Sequence, residues 1–281
     1  MKIAVVYLSW LPYGKEYLIN FLNNYSTFSA GYDHTLVIAF NGVKLVSRNE
    51  LAEFEKLLST KNIRNYKVLY FEQGQDIDVY QQVAGLIDSE YCLFLNTYSK
   101  FLSSNWLKLY IDNLNEKTGI IGATGSHASY ISSVRELTRY AFKSDVSFGD
   151  KFNKLKYLIK MYLFESSHFK SFPAPHVRTT GFFISRALFV EVGTFEVKNK
   201  MQAYYCENGR DSLTVRVKRK GLECLLIDKF GNIYAEDAWQ KSNTFWNGKQ
   251  ENLLISDNQT EKYMEASLEE KMLYRKIAWG I

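Results

Sequence analysis

Tyr91-Cys92-Leu93-Phe94-Leu95-Asn96-Thr97-Tyr98-Ser99 decides how this chain is read. An unbroken apolar run closed by polar residues has the composition of a short strand buried on both faces of a parallel sheet. Downstream, Ser104 is placed to cap a helix from Asn105 to about Glu116, with Trp106, Leu107, Tyr110 and Leu114 on one stripe. In an open α/β sheet, ligands lie outside the carboxyl ends of the strands. Asn96 to Ser99 therefore stand where a site belongs, with Asn96 and Tyr98 as its candidate binding residues.

An apolar strand, a short polar motif and then a Trp-Leu pair opening a helix resembles the family 2-like glycosyltransferases of GT-A fold. The resemblance implies an Asp-x-Asp motif at this strand end, holding a divalent metal (Mg or Mn) on a nucleotide-sugar diphosphate. Here Asn96-Thr97-Tyr98-Ser99 stands in its place, a degenerate form with no carboxylate for a hard cation. The resemblance thus carries the fold, while no residue is assigned to a metal.

Working outward, Ile3–Leu8, His34–Phe40, Tyr66–Phe71, Tyr91–Leu95 and Gly119–Ala123 read as strands. Helices are expected at Gly14–Tyr25, Asn49–Leu58 and Asp78–Ile87. This alternation predicts an α/β chain with a doubly wound, mostly parallel sheet flanked by helices. Loops at the carboxyl ends of the first three strands would build a nucleotide pocket from Ser9, Asn41 and Asp76. Asp76 suits a ribose hydroxyl or a base edge, and equally the N-cap of the following helix. Asp76-Ile77-Asp78 spells Asp-x-Asp but does not close an apolar strand, which places it wrongly for the metal motif.

Composition sets further bounds. A chain of 281 residues with 46% apolar content suits one large domain, and its three cysteines and four histidines show no metal-ligand spacing. Scattered thiols and the lack of any membrane-length apolar run predict a cytoplasmic protein, and Met1–Leu8 reads as a first strand in preference to a signal peptide. Eight basic residues against four acidic ones between Arg135 and Lys170 supply most of the net charge of +5. Within that stretch Phe152, Leu155, Ile159, Tyr162 and Leu163 fall at helical spacing beside lysines. The helix is either packed on the sheet with a solvated face, or a peripheral docking surface for the inner face of an anionic membrane. No nucleic-acid reader motif accompanies the charge.

Beyond the small-residue turn Gly122–His127, Pro173 and Pro175 lead into a strand at Thr180–Ser185 and a helix at Arg186–Val192. In the family this segment lines the donor sugar. Without a metal the leaving diphosphate needs another cation, and His176 or Arg178 could supply it; a structural ion pair and a surface histidine fit as well. Leu213, Arg216 and the Lys218-Arg219-Lys220-Gly221 ending resemble the helix that follows the family's catalytic Glu-Asp pair. Alignment puts Gly209-Arg210 at that pair, so Glu207, in the preceding loop, is the first candidate for general base and Asp211 the second.

Glu223–Asp228 reads as an edge strand, and Leu268–Trp279 as a final helix. Between them, Trp239, Ser242, Thr244-Phe245-Trp246, Gln250 and Asp257-Asn258-Gln259-Thr260 resemble a pattern in a subset of bacterial glycosyltransferase-like proteins. Trp246 with its amide neighbours suits sugar stacking, and so does a plain packed strap. Trp246 and His127 are the acceptor-side candidates. The resulting division is a GT-A-like domain over residues 1–235, with a basic helical insertion at 135–170, and a C-terminal strap and helix at 236–281 packed on it.

The resemblance implies an inverting glycosyltransferase of hexosyl or deoxyhexosyl class. It would move sugar from a nucleotide-sugar donor to a hydroxyl of a surface glycan or lipid-linked acceptor. The rival is a catalytically silent GT-A-like protein that binds a saccharide or partner. A methyltransferase is disfavoured, because no Gly-x-Gly loop follows the first strand.

Overall fold

The computed structural model describes residues 1–60, 63, 65–143, 156, 159 and 167–281. The basic helix expected around Phe152–Leu163 lies outside the described residues except at positions 156 and 159. Eight strands form the main sheet: β1 (Ile3–Trp10), β2 (Thr35–Asn41), β3 (Tyr66–Phe71), β4 (Tyr91–Leu95), β6 (Thr118–Gly122), β9 (Phe182–Ser185), β10 (Glu223–Ile227) and β11 (Ile233–Tyr234). Two-residue strands β5 (Lys100–Phe101), β7 (Gly125–Ser126), β8 (His176–Val177) and β12 (Ile255–Ser256) pair outside it. The order is β11-β10-β6-β9-β4-β1-β2-β3. Only β9 and β11 run against the rest, which gives the mostly parallel, helix-flanked α/β arrangement expected of a GT-A-like chain.

Central strands are largely apolar because both faces are covered. Along β1 the alternation divides two cores. Val6 and Leu8 join Phe94 and Ile184 on one face, and Val5 and Tyr7 join Leu93, Leu95 and Phe183 on the other. Helices α1 (Lys15–Thr27), α2 (Arg48–Thr60) and α4 (Trp106–Asp112) cover the second face. The first is covered by α3 (Asp76–Leu86), α6 (Arg186–Val192) and α8 (Leu213–Arg219), together with Trp239 and Trp279. Between them in sequence lie α5 (Tyr130–Lys143) and α7 (Lys200–Asn208).

Three local expectations need correction. Asn105, in a left-handed conformation with φ 62°, precedes α4 in place of Ser104. The helix start is capped by tertiary contact, since the Leu107 and Lys108 amides donate to the Ala30 carbonyl at 3.1 and 3.0 Å. Strand β10 is not at the edge, because β11 pairs with it through Leu226↔Tyr234 and Ile227↔Ile233. Glu207 lies inside α7, not in a loop, and Asp211 lies before α8, whose N-cap is Ser212.

The last 46 positions, 236–281, stay on the body. Strand β12 pairs with β5, Trp239 is fully buried, and helices α9 (Asn258–Glu265) and α10 (Leu268–Trp279) both start with a complete capping box. No helix among the described residues is long and apolar enough to cross a membrane.

Candidate functional site

Strand order reverses between β1 and β4, and the sheet opens there into a cleft of about 410 Å³. Trp10 closes β1 and Asn96, Thr97 and Tyr98 follow β4 on its floor. Gly74, Gln75 and Asp76 come from the loop that opens α3, and Tyr13 stands at the side. Across from them α7 presents Lys200, Ala203, Tyr204 and Glu207; Thr179 and Asn258 complete the lining.

Four consecutive residues ahead of β9 tie this site together. Arg178 pairs with Asp257 at 2.8 Å, donates to Thr124 Oγ1 at 3.3 Å and lies 4.3 Å above the Phe245 ring. The Thr179 amide and hydroxyl donate to Glu207 Oε1 at 3.1 and 3.4 Å. Thr180 Oγ1 accepts from Asn96 Nδ2 at 2.7 Å. Gly181, at φ +67°, donates its amide to the Phe94 carbonyl at 2.9 Å and accepts from Tyr110 Oη at 2.8 Å. Glycine suits this left-handed position, and its Cβ would meet the Ala123 methyl at 3.0 Å.

At the strand end, Asn96 is occupied by its own turn. Its Oδ1 accepts from the Tyr98 amide at 3.0 Å and from Ser99 Oγ at 3.2 Å. A hard divalent cation needs several free oxygen ligands. This turn offers none from Asn96, and no group of three His, Cys, Asp or Glu suited to a metal is found among the described residues. The residues at the strand end do not fit the metal that the family resemblance implies.

Asp76 is the first helical residue of α3, with Gln75 at the N-cap, so the capping expectation shifts by one position. Its side chain is open to solvent through the cleft yet crowded by protein atoms. Desolvation, with Glu207's charge adding to it, pushes the carboxyl up to about 6, and Lys200 opposes the shift. Lys200, Tyr204 and Glu207 stand at i, i+4 and i+7, one face of α7.

The remaining predicted residues lie off the lining. Ser9 and Asn41 are buried behind it, and Asn41 Nδ2 donates to the Gly74 carbonyl at 2.8 Å, steadying the Asp76 loop. His176 is buried, with Nδ1 donating to the Ala174 carbonyl at 2.8 Å, and burial lowers its pKa. A neutral imidazole brings no charge to a diphosphate. His127 packs between Trp239 and Trp279, 6.0 and 5.2 Å away, and burial lowers its pKa too. Trp246 stacks on Phe245 and meets Tyr274 at a tilt, both at 4.7 Å, and donates to the Gln259 carbonyl at 3.0 Å, a packing role inside the C-terminal segment. Asp211 is spent on Arg216 and Arg219 at the surface.

Sequence reasoning missed Lys200, Tyr204, Thr179 and Asn258. The i, i+4, i+7 spacing of α7 was the available signal for the first two, and Asn258 stood in the C-terminal pattern without being assigned to the site; nothing local marks Thr179.

No family model matches this chain, and no curated protein does. Among solved structures it is similar to a mannosyltransferase from Pyrobaculum calidifontis in complex with GDP-Man and Mn2+. That likeness has 8% identity and a TM-score of 0.48, over 79% of this chain and 53% of that one. It is also similar to the bifunctional IspDF from Campylobacter jejuni, at 11% identity and a TM-score of 0.41, over 81% of this chain and 49% of that one. Mouse xyloside xylosyltransferase 1 is matched at 9% identity and a TM-score of 0.43, over 81% of this chain and 86% of that one. The chain spans about half the length of the first two. These likenesses are too distant to assign it to any of them.

Proposed function

We propose that this chain is a GT-A-type glycosyltransferase related to family 2, with a degenerate strand-end motif. It would transfer a hexosyl or deoxyhexosyl unit, with inversion, from a nucleotide-sugar donor to a hydroxyl of a surface glycan or lipid-linked acceptor. One observation carries the reading. Glu207, held by Thr179, lines the same cleft as Asp76, Asn96 and Tyr98, at the crevice where the strand order reverses. The sequence resemblance puts the family's catalytic pair at Gly209-Arg210, and Glu207, two positions before it, is the carboxylate this chain offers in that place.

In this mechanism Glu207 accepts the proton of the acceptor hydroxyl. The acceptor oxygen forms its bond to the anomeric carbon on one face as the sugar–phosphate bond breaks on the other. The bonding electrons leave with the nucleoside diphosphate, and the proton stays on Glu207. Asp76 receives a ribose hydroxyl or the edge of the base. Peripheral contact of the 135–170 stretch with the inner face of a membrane would bring a lipid-linked acceptor within reach.

The internal bonding of Asn96 favours a second reading, a GT-A-like protein that binds a saccharide without turning it over. A screen of nucleotide sugars for donor hydrolysis and transfer, comparing wild type with Glu207→Gln, separates the two. Turnover that falls about 10²- to 10⁴-fold in the variant, with donor binding retained, supports the enzyme. A fully active Glu207→Gln protein removes Glu207 from the base role. Absence of turnover with any donor, alongside saccharide binding, selects the second reading.

A further inference from the structure

A departing nucleoside diphosphate gains negative charge that something in the cleft must stabilise, and the groups available can be counted. Among the described residues lining it, the ionisable acids and bases other than tyrosine are Asp76, Glu207 and Lys200. The two carboxylates repel a diphosphate. The cations that the sequence suggested are elsewhere engaged: Arg178 is committed to Asp257, Thr124 and Phe245, and His176 is buried with a lowered pKa. The strand-end turn does not fit a divalent ion, because Asn96 Oδ1 already accepts two hydrogen bonds.

Lys200 differs from all of these. It is exposed, it lines the cleft on the same helix face as Glu207, and among the described residues it has no ion-pair partner. Its ammonium stands 5.9 Å from the centre of the Tyr204 ring, within the range of a weak cation–π contact that holds it over the cleft wall. Its charge opposes the rise in the Asp76 pKa, and both side chains line the one cleft.

We propose that Lys200 is the cation that receives the leaving diphosphate, so that this site binds and releases its nucleotide without a divalent metal. The inference rests on the donor-site reading above. As the sugar–phosphate bond breaks, the electron pair passes to the β-phosphate oxygen, and the Lys200 ammonium stabilises it by a charge-assisted hydrogen bond without transferring a proton. A flexible lysine can follow the phosphate from bound donor to free product, which a fixed bidentate group cannot.

Calorimetry in EDTA with UDP, GDP, dTDP and CDP, and ligand-observed NMR with the corresponding nucleosides, test this directly. Wild type should bind at least one diphosphate more tightly than its nucleoside, with or without magnesium. Lys200→Met should weaken that diphosphate about 10- to 100-fold and leave the nucleoside within about twofold, which also verifies that the variant is folded. Lys200→Arg should keep most of the affinity. Unchanged diphosphate affinity in Lys200→Met, or tight binding only with magnesium or manganese, overturns the role of Lys200 while the donor site stands. A wild type that binds neither diphosphate nor nucleoside overturns the donor site itself, and Lys200's role with it.

Discussion

Replacing Arg178 by Met strands the Asp257 carboxylate, whose side chain is 1% exposed and faces the guanidinium at 2.8 Å. Two backbone donors would remain to it, Gln259 at 3.1 Å and Thr260 at 2.9 Å. Leaving one member of a buried pair uncompensated costs about 3–5 kcal/mol; the surviving donors put this variant near the lower end, about 3 kcal/mol. Asp257→Asn is the mirror experiment. Asn caps a helix as well as Asp does, so α9 keeps its start and the loss is that of an unpaired arginine, again about 3 kcal/mol. The double variant strands neither charge and should lose only about 1 kcal/mol, making it more stable than either single variant. Urea denaturation followed by tryptophan fluorescence reads these values, since Trp239, Trp246 and Trp279 all lie in the segment that Arg178 anchors. In a chain of this length the single variants should also melt about 4–8 °C lower. The reasoning fails if both single variants match wild type, or if the double variant is as unstable as the two losses added together.

Three other outcomes follow from the same geometry. Asp76 has its carboxyl raised to about 6, so the stability it contributes is full below its unfolded pKa and is lost as pH rises through about 6. Because its side chain is solvent-accessible the amount is small, under about 1 kcal/mol; the clearer readout is nucleotide affinity, which should strengthen from pH 7.5 to 5.5 as a negative charge leaves the cleft, and lose that dependence in Asp76→Asn. Gly181→Ala must hold φ +67° while its methyl crowds Ala123 Cβ at 3.0 Å and Ile255 Cδ1 at 3.3 Å; a loss of about 2–3 kcal/mol by denaturation is expected, with transfer activity falling alongside. Thr180→Val removes the acceptor for Asn96 Nδ2 and should cost about 1–2 kcal/mol, and donor KM should rise as the strand-end turn loosens; unchanged stability and KM would show that the 2.7 Å bond holds nothing in place.

Strand β3 and helices α6 and α10 were legible to the residue, because Tyr66–Phe71, Arg186–Val192 and Leu268–Trp279 have clean apolar periods or end signals. The direction of β9 was not. An apolar run such as Phe182–Ile184 fits either orientation, and its pairing with Phe94, Cys92 and Gly122 is decided by the chain between β6 and β9. Two-residue strands such as β5 and β12 are too short to show a period. Helix α7 escaped because it buries only Cys206, so Glu207 read as a loop residue. At the site, Asp76, Asn96, Tyr98 and Glu207 were named from sequence and all line the cleft. For Arg178 the structural ion pair that the sequence left open is the one found, but its partner Asp257 lies far along the chain and no local pattern announces it.

That reversed strand explains how the cleft comes to have a wall at all. A parallel strand brings to the carboxyl end of a sheet only the residues that follow it. Strand β9 runs the other way and pairs Phe182 with Gly122 and Phe94, so it delivers the residues that precede it, Arg178 to Gly181, to the same end. Those four backbone positions are then shared by the two cores, by the turn at Asn96, by Glu207 and by the C-terminal segment. Because Thr179 is bonded directly to Arg178 and to Thr180, it cannot move without disturbing Asp257 or Asn96. A shift of about 1 Å between a base and its acceptor can cost about 10²-fold in rate. Loosening the C-terminal segment through Arg178 should therefore reach Glu207 across covalent bonds, and the Arg178→Met protein should lose transfer activity under conditions where it remains folded, while an Asp211→Asn protein, altered only at the surface pairs with Arg216 and Arg219, should not.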